Sequence, residues 1–165
     1  MERYEEERDK ALKRIKVADH MLNVTYPLLK EPKLLVSVME NLFLSLTNSM
    51  SALLYYERKY KSIPLFADNF DSKYEIFKTK TADKYHLEAQ QLRMMREIKN
   101  LLVEHKKSPV EFAKGGKFVI CSEDYTIKTV SVEDMKEYIS KAKAFIQDIN
   151  FILQQNESRN SRILR

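Results

Sequence analysis

Two adjacent glycines, Gly115 and Gly116, and four prolines are the only strong helix breakers in 165 residues. A chain with so little punctuation is restricted to long, continuous elements, and its apolar periods say which kind. Ala11, Ile15, Ala18, Leu22 and Leu29 recur at helical spacing, so a first helix is expected over about 3–29. Pro27 should kink or end it, and Pro32 suits the first turn of the next helix, where a missing N–H costs nothing. That second helix, about 32–61, has Glu40 as its only charge between Leu34 and Tyr56, which predicts the central, most buried position.

The segment SIPLFADNFD at 62–71 has no sustained period. Ser72 and Glu75 then have capping-box spacing, which predicts a third helix running unbroken to about Lys107, with Lys84 on its surface. Pro109 should stop it. The run KFVICSEDYTIKTV at 117–130 reads as two short β-rich stretches around a Ser-Glu-Asp turn. Ser131 with Asp134 repeats the capping signature, and Val132, Met135, Ile139, Ala142, Phe145, Ile146, Ile149 and Leu153 predict a closing helix. The expected fold is all-α: an up-and-down four-helix bundle with long helices and a small β-hairpin before the last helix. A single domain is expected over 1–155, and the polar, basic tail 156–165 is expected to be disordered.

One cysteine, Cys121, leaves neither an intramolecular disulfide nor a Cys-x-x-Cys motif, and the charged start MERYEEERDK has no signal-peptide core, so a cytoplasmic location is expected. The uncharged run NLFLSLTNSMSALLYY at 41–56 is short for a bilayer span and is punctuated by Ser45, Thr47, Asn48, Ser49 and Ser51, so no membrane association is expected. No Gly-rich phosphate loop, Gly-x-Ser-x-Gly elbow or His-Glu-x-x-His is present. Asp83-x-x-His86 alone approaches the di-iron pattern, so neither metal nor cofactor is expected. Cys121, between β-rich neighbours, reads as a small hydrophobe, and His105 as a helix-end residue.

An uncharged helix ending in LLYYER after a Lys-Glu-Pro corner, a long charged helix and a closing amphipathic helix together resemble the HEPN family of helical bundles. The resemblance covers most of residues 10–155. It implies a helical bundle that can dimerise; some members of the family are metal-independent ribonucleases, in which an arginine and a histidine act together across a dimer interface. In RIKVADH, Arg14 and His20 are the pair that fits the family's spacing. At about 100° per residue the two differ by about 120° around a helix, so they do not share a face.

The net charge of +5 permits an anionic partner. Arg58, Lys59 and Lys61 after the second helix, Lys73 at the start of the third, and Lys13 and Lys16 on the first are the candidate contacts to RNA phosphates, with a plain solvated lysine face as the competing reading. The leading expectation is a non-catalytic RNA- or protein-binding module. The alternatives are an endoribonuclease using Arg14 and His20, and an assembly subunit without nucleic acid.

Overall fold

The computed structural model describes residues 1–107, 112–114, 117–121 and 126–163. The expected roles of Pro109, of the Gly115-Gly116 pair and of the Ser-Glu-Asp turn lie outside these residues, as do 164 and 165. The protein is mostly helical, with a small antiparallel sheet before the last helix.

Helix α1, Arg3–His20, passes through a π turn, Met21–Thr25, into α2, Tyr26–Leu29. The Tyr26 N–H reaches back to the Met21 carbonyl just before Pro27, whose ring excludes the ordinary bond to the fourth preceding residue. The corner closes on Lys30 in the left-handed region at φ 50°. Helix α3, Pro32–Lys59, then starts with proline in its first turn and is the central element: Leu35, Val38, Leu42, Leu46, Met50, Leu53 and Leu54 are buried, and helices α1, α6 (Ala89–Lys107) and α7 (Val132–Ile163) all pack on it. Serines at 45, 49 and 51 are buried with them; the Ser45 hydroxyl donates to the Leu42 carbonyl at 2.7 Å, which removes the cost of an unpaired polar group.

The expected third helix divides in two. Helix α4, Phe70–Ile76, runs through a second π turn, Phe77–Thr81, into α5, Ala82–Lys84, and α6 begins afresh at Ala89. At the break His86 is left-handed at φ 55°, its N–H bonds to the Asp83 carbonyl at 3.4 Å, and the Leu87 N–H bonds to the Ala82 carbonyl at 2.9 Å. That is a Schellman closure with histidine where glycine is usual, and half-buried Leu87 packs against the core just beyond it. Five helical rods therefore stand among the described residues where four were expected. The start of the third also differs: Asn69 is the N-cap, its Oδ1 accepting from the Ser72 N–H at 2.9 Å, so Ser72 lies inside the helix.

Strands β1, Phe112–Lys114, β2, Lys117–Cys121, and β3, Ile127–Ser131, form the sheet in sequence order, with Ala113 opposite Phe118 and Ile120 opposite Lys128. The two expected β-rich stretches are β2 and β3; β1 is an addition. Among the described side chains of the sheet Ile120 and Val130 are buried, and the sheet packs on α6 and α7. The second capping box forms as expected: Asp134 Oδ2 accepts from the Ser131 N–H at 2.9 Å and Ser131 Oγ from the Asp134 N–H at 3.0 Å. Beyond it α7 continues to Ile163, so residues 156–163 of the tail expected to be disordered are helical. Long-range polar contacts compensate its low apolar content. Arg8 pairs with Glu157 at 2.7 Å, and the Asn156 and Asn160 amides donate to the Tyr85 and Tyr56 hydroxyls.

Candidate functional site

The end of α3 reads LLYYERKY, which alternates rings and charges over the last two helical turns. Tyr55 and Tyr56 are buried, Arg58 is half-buried and Tyr60 is exposed. The Arg58 guanidinium lies over the Tyr55 ring at 4.7 Å and the Phe66 ring at 4.6 Å. Arg3, from the first turn of α1, covers Tyr55 at 4.0 Å, and Lys73 of α4 approaches the same ring at 5.2 Å. Lys59 lies 5.3 Å from the centre of the Tyr60 ring. Arg3, Tyr4, Tyr55, Arg58 and Lys59 with Glu2 line a concavity of about 250 Å³. Several cations thus converge on the rings at this end of the molecule, each contact adding a modest electrostatic attraction.

Two carboxylates are set among these cations. Asp68 accepts from Arg3 at 3.1 Å and from the Tyr55 hydroxyl at 3.2 Å and pairs with Lys73 at 2.7 Å; the bond from Lys73 holds its carboxyl below the usual carboxylate value. Glu2 takes Lys59 at 2.6 Å, and that bond raises the lysine above its ordinary value. The Arg58 guanidinium has no hydrogen-bond or ion-pair partner among the described residues, and neither has the side chain of Lys61, which is left-handed at φ 57° in the Schellman turn that ends α3.

Arg58, Lys59 and Lys73 thus come together as expected, with Lys61 in the turn immediately after them. Arg3, Phe66 and Asp68 were not foreseen; the ring-and-charge alternation of LLYYERKY was the available signal for the locality. Lys13 and Lys16 are exposed on α1, about 15 Å or more along the helix from Arg3 by helical rise, and form no part of the cluster. Arg14 is exposed and donates from Nη1 to Asn41 Oδ1 of α3 at 3.1 Å. His20 is also exposed, and its neighbour Asp19 is held by Lys143 of α7 at 2.5 Å. The two positions are therefore drawn toward different helices, and no hydrogen bond or ion pair among the described residues joins Arg14 to His20.

A second polar group lies behind the same end of α3. Glu57 is 2% exposed and accepts from Lys84 Nζ at 3.0 and 3.2 Å and from the Tyr85 hydroxyl, to which the Asn156 amide also donates at 2.8 Å. Burial and the bond to Glu57 raise the Tyr85 phenol above its ordinary value. Burial pulls Lys84 the other way, but the hydrogen bond and charge of Glu57 outweigh it and leave the lysine raised. Lys84, expected as a plain surface residue, is thus the counter-ion of a buried carboxylate. With every polar partner engaged, this group ties α3, α5 and α7 together.

Among the described residues no three His, Cys, Asp or Glu side chains gather to hold a metal ion, and no helix is long and apolar enough to cross a membrane. Fold and site define a mostly helical protein with a cation-and-ring cluster at one end. No family model, curated protein or solved structure matches the chain.

Proposed function

We propose that this protein is a non-catalytic, HEPN-like helical bundle that binds single-stranded RNA through backbone phosphates at the end of α3. The observation that carries the reading is Arg58, a guanidinium lying over two rings with no carboxylate partner among the described residues, beside Arg3, Lys59, Lys61 and Lys73. Its donors are free for phosphate oxygens, and exposed Tyr60 offers a ring on which a base can stack. The ion pairs of Arg3 and Lys59 are solvent-exposed and weak, so a polyanion can replace their partners. The cytoplasmic location and homodimer belong to the same proposal and rest on the family resemblance and the single cysteine. The endoribonuclease reading receives no support from the positions of Arg14 and His20.

The test is binding of a labelled single-stranded RNA as a function of salt. Each lost phosphate contact lowers the slope of log K against log salt by about 0.7. Arg58→Ala with Lys61→Ala should therefore lower it by about 1.4, while Lys136→Ala with Lys141→Ala on α7 leaves it unchanged. Equal losses for the two pairs would mean diffuse attraction. Absence of binding at low salt would overturn the RNA reading and leave a protein partner.

A further inference from the structure

On the other side of α4, we propose a second site: a pocket for a phosphate monoester of about mononucleotide size, between α4, α6 and β3. Arg93, Arg96 and Asn100 fall at i, i+3 and i+7 on α6 and so share one face. Lys128 of β3, whose ammonium pairs with Glu104 of α6 at 3.1 Å, also lines the site, with buried Tyr74 and Leu101 as the apolar surface of a concavity of about 360 Å³. That volume is at the small end of ligand pockets, which combine an apolar lining with a few converging polar groups.

The guanidinium of Arg96 lies over Tyr74 at 4.6 Å and Phe70 at 5.1 Å, which restricts where its donors can go. Its ion pair at 3.1 Å is with Asp71, whose side chain is 73% exposed, so the pair is water-screened and readily exchanged. Arg93 is exposed and has no side-chain partner among the described residues. Two arginine forks on one helical face match the geometry of a phosphate group, which accepts paired N–H bonds. Glu97, the acid in the lining, is fixed by the Tyr138 hydroxyl at 2.9 Å. Its carboxylate disfavours a bare anion filling the whole pocket but accepts from a hydroxyl or amino group on the ligand's body. This combination selects an organic phosphate over inorganic phosphate. The proposal stands apart from the RNA reading, because Lys73 of α4 serves the Tyr55 side whereas Tyr74 serves this one.

Titration of the full chain at low salt, followed by NMR of the arginine Nε–H groups, tests it with adenosine 5′-monophosphate, inorganic phosphate and adenosine as probes. The monophosphate should shift Arg93 and Arg96, inorganic phosphate should do so more weakly, and adenosine should not. Arg93→Ala should weaken monophosphate binding by about tenfold, with only partial recovery in Arg93→Lys, which restores charge without the fork. Its melting curve should stay at the parent's, since Arg93 packs with no described partner. Arg58→Ala with Lys61→Ala should leave monophosphate binding unchanged even where it abolishes RNA binding. No shifts at millimolar monophosphate, equal shifts with adenosine, or equal loss in the Arg58/Lys61 and Arg93 variants would each overturn the proposal.

Discussion

At the scale of single residues the most consequential side chain is Glu57. A buried carboxylate stays ionised only when charge and hydrogen bonds replace its lost water, and Lys84 and Tyr85 supply both. Lys84→Asp would place a second carboxylate against the first. Because Lys84 is itself half-exposed, the expected loss is about 2 kcal/mol, below the 3–5 kcal/mol of a fully buried broken pair. Exposed Lys80, on the same rod and without an ion pair, should tolerate the same change within about 0.5 kcal/mol. Urea unfolding of the two variants checks the contrast, and equal midpoints would mean that Glu57 does not depend on Lys84. None of this was legible beforehand, since Glu57 and Lys84 belong to different elements and a charge near a helix end is ordinarily solvated. Leu46, fully buried, occupies the core position its apolar period predicts.

At the scale of elements, the periods located the long helical stretches, and what they missed was where two of them stop. The stretch around Ala82–Ala89 contains neither glycine nor proline, and the chain turns there through a left-handed histidine. A left-handed L-residue costs about 1 kcal/mol that glycine escapes, part of it offset by the greater freedom of glycine in the unfolded chain. His86→Gly should therefore raise stability by about 0.5 kcal/mol, whereas His86→Val, β-branched where φ is positive, should lower it. Thermal melts of the pair read the sign directly; the reverse order would mean that the corner is not left-handed. The end of α7 was misjudged for a related reason. Composition measures apolar content, but residues 156–163 are held by Arg8, Tyr56 and Tyr85, partners that no local window contains. The candidate site was half legible: the cations after α3 lie in one run of sequence, while Arg3 and Asp68 reach them only through folding.

At the scale of the whole molecule, several ties between rods depend on protonation. Asp68 and Asp19 are held below their ordinary value, chiefly by the bonds from Lys73 and Lys143. For a lowered carboxyl, the stabilisation is complete above its unfolded value, about 3.9, and disappears as pH falls through the lower folded one. Lys59, Lys84 and Tyr85 are raised, so what they contribute is complete below about 10 and is lost as pH climbs through their folded values. Urea midpoints should therefore form a plateau across neutral pH and fall on both sides, below about 4 and above about 10. A midpoint at pH 3 equal to that at pH 7 would show that the aspartate ties carry no weight.

The Arg8–Glu157 pair also makes the molecule nearly circular in its connectivity. Residues separated by almost the whole chain meet, and from Glu157 only about one and a half helical turns lead to Ile163. A short flexible linker can therefore join Arg3 at the start of α1 to Ile163 at the end of α7, while the period-free loop after α3 offers a place to open the chain elsewhere. Opened there, the rearranged chain would begin at α4 and finish with α3, so that Lys73, Tyr55 and Arg58 of the cluster would stand near its two termini while Arg3 would lie inside it, beside the new linker.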